Sequence, residues 1–423
     1  MRIIPPNSAL KQVLWAVLAG LISSLGCVAV RLAFQGLQWL FTGHSGLLPS
    51  AAAGLPLWRR AITPVLGACG ASLVVWFGRR VQKSNQFSEY VEAVRLDNGR
   101  ISFAPTFWRT LSSAFSVATG AAIGREGSMI QFAAALTSLL QPRLVACGVA
   151  AAVAAVYQAP VAGIFFAVEI VMGKIVWSEM PFLLVSSFTG IVVSSHLLGR
   201  GPLFAVRAPI AFDFSYLWLV LLIAVLLGAV GPVYYLVIHS MNFARKWPLA
   251  LLWSGALVGA FSLNRPEVWG NGDGALLHIM QGSPAVGTLF LLLGLRLGAT
   301  VFCVGTGTVG GVFTPTLFAG SAIGLLAGRL LHVPDPLLFA VLGMACLLAA
   351  ATHAPWMAAF MAVELTGQWP LLPLLLPCTL IAWQVARYLS RNSLYALATP
   401  EPASDGRMSS LTVWKTFDLK SSV

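Results

Sequence analysis

Apolar residues dominate the chain, and the polar interruptions fall in two textures. Long unbroken apolar runs predict helices of membrane-crossing length at Val13–Phe41, 62–77, 180–199, 215–244 and 371–386, with a further span ending near Ser262. A span needs about 20 residues, so the first run is long enough to tilt. Between them lie two stretches of another kind, from Arg109 to about 173 and from 287 to 366, where Ala-, Gly- and Ser-rich pieces break at Gly124, Gly127, Gln141-Pro142, Ala159-Pro160 and Gly173. A helix of about 12 residues rises only about 18 Å and cannot cross a hydrocarbon core of about 30 Å. These pieces predict discontinuous helices packed through small residues, with irregular backbone buried in protein or lining a cavity. Polar segments at 79–108 and 264–285 and a final short helix near Ser393–Ala398 complete the outline, followed by a tail over 401–423 expected to be disordered.

The two textured stretches echo each other. Gln158-Ala159-Pro160 followed by Ala167-Val168-Glu169 has the spacing of His353-Ala354-Pro355 followed by Ala362-Val363-Glu364. Thr119-Gly120 through Leu136 aligns with Thr306-Gly307 through Ile323, setting Glu126 opposite Phe313. Weak internal repetition with broken helices describes many transporter folds, with the site where the repeats meet. The residues alone leave open whether the repeats run parallel or inverted.

Composition sharpens this. Of 423 residues 58% are hydrophobic and 9% charged, with a mean hydropathy of +0.83, against about 25% charged in soluble domains. The chain therefore reads as an integral membrane protein. Its net charge of +12 does not point to nucleic acid, because the basic residues form no stripe interleaved with aromatics. They collect near Arg2 and Lys11, at Arg79-Arg80 with Lys83, and from Arg387 to Lys420, which places both termini in the cytoplasm of a plasma membrane. Arg59-Arg60 runs against that pattern. The six cysteines and six histidines are scattered without metal-ligand spacing, so no metal and no cofactor is expected.

With only fourteen carboxylates, each can be weighed. Glu126 lies in Gly124-Arg125-Glu126-Gly127-Ser128, where a helical pattern resumes. Glycines let a ligand reach backbone N–H groups there, and the helix dipole favours negative charge. The carboxylate can fill such an anion site itself and be replaced by a free anion; the plainer alternative is an ion pair or cap. Gly310-Gly311-Val312-Phe313-Thr314-Pro315 aims a second helix start at the same depth, with Pro315 at a first helical position. Glu169 and Glu364 read as buried acids satisfied by nearby backbone or hydroxyl groups. Arg109 supplies either positive potential to an anion path or a snorkelling helix end. Gly305-Thr306-Gly307-Thr308-Val309-Gly310 satisfies GxGxxG and raises a membrane-embedded oxidoreductase as a rival. It lacks the strand before it, and no acid follows until Asp335.

These motifs resemble those of the ClC family of chloride channels and proton-coupled chloride antiporters, most of all its bacterial ClcB-type branch. Gly124 to Ser128 is similar to the family's GREGP motif and Gly311 to Pro315 to its GxFxP motif. Tyr395 sits where the family has an anion-coordinating tyrosine. The resemblance runs from about residue 15 to 400. It implies an all-α polytopic fold of two inverted repeats (about 60–200 and 215–389) in a single transmembrane domain spanning 1–400. It further implies a homodimer with one anion pathway per subunit and no enzymatic activity. Glu126 would be the gate, with Gly124, Arg125, Gly127, Val312, Phe313 and Tyr395 about the anion. The absence of a regulatory domain after residue 400 fits a bacterial inner-membrane member. Two departures stand out. Asn85 replaces the family's chloride-contacting serine, and the antiporters' inner proton-transfer glutamate falls on Ile170, leaving neighbouring Glu169 as the candidate proton relay. The expected function is chloride transport, channel-like or loosely proton-coupled, with strict chloride/proton antiport as the alternative.

Overall fold

The computed structural model describes residues 9–81, 89–206, 209–210, 212–282 and 284–395. Among them are seventeen α-helices and no β-strand. The first repeat-like set is α1 (Ala9–Thr42), α2 (Leu48–Ala53), α3 (Leu57–Val81), α4 (Tyr90–Leu96), α5 (Phe103–Ala118), α6 (Glu126–Leu140), α7 (Val145–Tyr157), α8 (Pro160–Phe165) and α9 (Met180–Leu198). The second is α10 (Leu217–His239), α11 (Ala250–Asn264), α12 (Asp273–Gly282), α13 (Val286–Gly305), α14 (Phe313–Leu330), α15 (Pro336–Thr352), α16 (Pro355–Thr366) and α17 (Leu372–Leu389). Six helical stretches are long and apolar enough to cross a membrane: Leu10–Thr42, Leu57–Val81, Met180–Leu198, Phe214–Lys246, Val286–Gly305 and Trp369–Leu389.

The long helices α1, α3, α9, α10 and α17 lie where the apolar runs predict them. The span expected to end near Ser262 is instead the shorter α11, and Val286–Gly305, expected within broken texture, is one continuous 20-residue helix, α13, because its leucine-rich run carries no interior proline. Much of the remaining broken texture becomes short helices packed at the centre. All thirteen residues of α7 are buried, as is nearly all of α15. Alanine, glycine and valine on every face suit a helix surrounded by other helices rather than by solvent. Packing repeats between the halves: α1 lies on α7 and α9, while α10 lies on α15 and α17. Local signals repeat too. Gln158 and His353 end α7 and α15 in the left-handed conformation (φ 55° and 58°), and Ala159 and Ala354 then share φ −128° and ψ 77° before a proline opens α8 and α16. Proline suits that first position because its missing N–H would have had no helical partner.

Glu169 and Glu364 tie the halves together. Glu169, in widened π-type turns over Phe166–Met172 that continue α8, accepts N–H bonds from Trp356 (3.3 Å) and Met357 (2.8 Å) at the start of α16. Glu364 on α16 accepts from Val161 (3.0 Å) and Ala162 (2.8 Å) at the start of α8. Each acid thus caps the other's helix, and Phe165 stacks on Phe360 at 5.0 Å beside them. Removing either carboxylate orphans two helix-start amides. Glu169→Ala and Glu364→Ala are each expected to lower stability by about 2 kcal/mol, read by chemical unfolding of the purified protein in detergent.

Three local expectations change. The polar, glycine-rich stretch 264–285 contains a helix, α12, because Asp273 opens it and an apolar Ala275-Leu276-Leu277 face follows. Pro315 is the third residue of α14, not the first, because Phe313 already has helical geometry. Ser393 is not helical and Leu394-Tyr395 form a turn; the remainder of that expected helix and the tail lie outside the described residues, as does Asn85.

Candidate functional site

The site is assembled by one pair of backbone contacts. Gly124 N–H donates to the Gly311 carbonyl (2.6 Å) and Gly311 N–H donates to that of Gly124 (2.7 Å). This bridge lashes the loop before α6 to the loop before α14, so two helix N-termini arrive side by side. The close approach requires glycine: a Cβ on Gly124 would lie 2.8 Å from the Gly311 oxygen and 2.5 Å from Glu126 Oε2. Glu126 is the first residue of α6 and 5% exposed. Phe313 is the first residue of α14 and 4% exposed. The alignment of Glu126 with Phe313 is therefore realised in space, and both residues stand at the positive end of a helix dipole.

Two cavities flank this junction and share no lining residue. One, of about 120 Å³, is bounded by Glu89, Arg109, Gly127, Ser128, Arg245, Val312 and Tyr395, among others. The other, of about 130 Å³, is bounded by Arg31, Arg125, Glu126, Tyr157, Asn271 and Asp273, among others. The first turn of α6 separates them, with Glu126 on one side and Gly127-Ser128 on the other.

The first cavity suits an anion. Helix-start backbone at Gly127 and Val312 faces it, Arg109 and Arg245 line it, and among the described residues Glu89 is the single carboxylate in its wall. Burial pushes the Glu89 carboxyl up to about 7, against the pull of the Arg109 guanidinium. Tyr395 reaches this cavity from the turn after α17, held by a Leu394 N–H bond to the Ala351 carbonyl (2.9 Å), and packs edge-on against Phe166 at 5.8 Å. Phe313 packs between Tyr157 (5.1 Å) and Phe166 (6.1 Å). Gly124, Arg125, Gly127, Val312, Phe313 and Tyr395 thus lie about the junction. Glu169 does not: it lines neither cavity, and both its oxygens hold α16 amides.

Several residues at the junction carry no signal in the sequence. Asn271 donates from Nδ2 to Glu126 Oε1. Arg125 Nη2 lies 3.4 Å from Asp273 Oδ2, and its Nε lies 3.9 Å from Glu126 Oε1. Tyr157 shares a 3.3 Å hydroxyl contact with Thr314, and Tyr90 N–H donates to Gln131 Oε1 at 3.0 Å. Asn271, Asp273 and Tyr157 come from segments distant in sequence from Glu126.

Known proteins agree with this geometry. A ClcB-like chloride channel protein of Ralstonia nicotianae is 37% identical over 92% of this chain and 97% of its own. The voltage-gated ClC-type chloride channel ClcB of Escherichia coli O157:H7 is 35% identical over 92% and 99%. Among solved structures, a slow cyanobacterial Cl−/H+ antiporter superposes with a TM-score of 0.79 at 21% identity, covering 91% of this chain and 96% of its own. A CLC-type fluoride/proton antiporter superposes at 0.69, with 21% identity and coverage of 90% and 95%. The fold is thus the all-α polytopic ClC type with two inverted repeats. Since the voltage gated chloride channel family model matches residues 66–387 as well, the chain belongs to that family and moves chloride across a membrane.

Proposed function

We propose that this protein is a passive or loosely proton-coupled chloride pathway in which Glu126 is the gate. The observation that carries the reading is the junction itself: two helix N-termini joined by the Gly124–Gly311 bridge, with one carboxylate standing between two cavities. Deprotonated, Glu126 occupies the space an anion would take; protonated, it loses its attraction to the helix ends and can swing aside. Val312, Phe313, Gly127 and Tyr395 then surround the anion. Loose coupling is supported by Ile170, an aliphatic residue 2% exposed at the family's inner proton-transfer position. Strict antiport, with Glu169 or Glu89 as the replacement relay, is the competing reading. Proteoliposomes in which chloride efflux and proton movement are recorded together decide between them.

The reading extends to assembly and place. The matched element order supports one transmembrane unit built of repeats over about 60–200 and 215–389, and the packing of α1 on α7 and α9, which parallels that of α10 on α15 and α17, adds α1 to the first half. The family resemblance supports a homodimer with one pathway in each subunit and no enzymatic activity. The clustering of basic residues near the termini supports a bacterial inner membrane with both ends in the cytoplasm.

Anions are expected to pass and cations to be refused. Helix starts, Arg109 and Arg245 make the first cavity positive, and one carboxylate in its wall does not reverse that. Under opposed potassium and chloride gradients the reversal potential should track chloride. A potential that tracks potassium would sink the assignment.

A further inference from the structure

We propose that Asn271 is a positioning residue that latches the Glu126 gate shut through its side-chain amide. The inference rests on the reading of Glu126 as gate and names the residue that holds it. Asn271 is 3% exposed and donates from Nδ2 to Glu126 Oε1. Its amide cannot turn round freely, because Oδ1 accepts the Asp273 N–H at 3.1 Å. The group facing Glu126 is therefore fixed as a donor. A donor favours the ionised carboxylate, which is the closed form; a protonated carboxyl gains less from it.

The loop that carries Asn271 is itself held at both ends. Arg296, 1% exposed on α13, donates from Nη1 to the Glu267 carbonyl and from Nη2 to that of Gly270 at 2.9 Å. Gly270 N–H donates to the Gly120 carbonyl (3.1 Å), in the same loop that leads into α6. Trp269, wholly buried, lies flat enough on Gly120 that a Cβ there would come within 2.5 Å of its ring. Gly120 also sits at φ 112°, where a side chain is strained. The second half of the chain thus clamps onto the loop of the first half that presents the gate, and Asn271 is the clamp's contact with the gating oxygen. Among the described residues Asn271 is the side chain that hydrogen-bonds the Glu126 carboxylate and so orients it.

Other charged or titratable groups face Glu126: Arg125 beside it, Asp273 at the start of α12, Arg31 on α1, Tyr157 at the end of α7 and Tyr395 after α17. Asp273 pairs with Arg125, so these two partly offset each other, and Arg31 remains as a second positive group on that side. None of them depends on the Asn271 amide for its charge. Removing Asn271 Nδ2 therefore isolates the latch.

The test measures chloride flux from proteoliposomes against pH, kept equal on both sides. Asn271→Leu keeps nearly the same shape and removes the donor without adding a charge; Asn271→Ala removes the donor together with most of the side chain. Loss of the donor should let the gate protonate and open at higher pH, moving the half-maximal point up by about one pH unit or more. In a Glu126→Gln background the same substitutions should add nothing further. An unchanged midpoint in Asn271→Leu overturns the latch, as does an equal change with and without Glu126. Should Glu126→Gln alone retain the parental pH dependence, the gate reading fails and the latch with it. Asn271→Ala serves as the second variant; if it does not fold, the near-isosteric Asn271→Leu still decides.

Discussion

Glu126→Gln is expected to leave chloride flux high and nearly independent of pH, where the parent's flux rises as pH falls. The carboxylate is buried at the first position of α6, within reach of helix-start amides, and takes the Asn271 donor bond. Ionised, it competes with chloride for the same positive dipole end; neutral, it has little reason to stay. Glutamine holds the neutral state at every pH without changing the size of the side chain. The expected gain is largest at alkaline pH, where the parent gate is closed, and should exceed tenfold, since a difference of about 1.4 kcal/mol between the two gate states already gives a factor of ten. A shallow residual slope around pH 7 is assigned to Glu89, which burial pushes up to about 7. Protonating it leaves Arg109 and Arg245 less opposed in the first cavity, so anion entry speeds modestly as pH falls. The measurement is initial chloride efflux from proteoliposomes between pH 4.5 and 9, both values chosen on the order of the span separating a free carboxyl from a fully ionised one. A variant that keeps the parental slope places the gate elsewhere.

Proton pumping driven by a chloride gradient is expected to be absent or to fall well short of a fixed stoichiometry. A proton crossing the membrane needs a titratable chain of groups or water, since an isolated charge cannot cross apolar packing. Glu126 serves one end. At the other, Ile170 is aliphatic and buried, and its carbonyl is taken by Arg95 Nη2 at 2.6 Å. Glu169 spends both oxygens on α16 amides and borders neither cavity, so moving a proton through it would cost a helix its cap. Glu89 is the carboxylate that does face a cavity. The experiment clamps voltage with valinomycin and potassium and imposes a chloride gradient. Sustained uphill proton movement at constant ratio would refute loose coupling. Its loss in Glu169→Gln or in Glu89→Gln would then say which carboxylate replaced the missing relay.

How far the chain could be read without coordinates follows from the range of each signal. Hydrophobic run length is local, so α1, α3, α9, α10 and α17 were legible from apolar stretches alone, whereas the glycines around α13 made that span read as broken texture. Broken texture was legible too, because Gly-Arg-Glu-Gly and Ala-Pro impose their turns within a few residues. The offset that sets Glu126 opposite Phe313 is the offset of the Gly124–Gly311 bridge, so even the pairing of the two repeats was encoded as a register. The buried state of Glu364 also followed from sparse charge in apolar surroundings, whereas Glu169, expected to be buried, is only partly so.

Tertiary structure decided what those groups touch. Each acid was expected to find backbone nearby, but the amides it meets belong to the other half, more than 180 residues away. Asn271 looks like one more residue in a glycine-rich loop until Arg296 and Trp269 fold that loop against Gly120 and bring the amide to Glu126. The end of the polar stretch 264–285 becomes α12 only because its apolar face finds α14 to pack on. The physical reason is common to all three. Periodicity and turn chemistry act over a few residues and are written in order along the chain. Hydrogen-bond partners of buried polar groups are chosen by whatever the completed packing brings within about 3 Å.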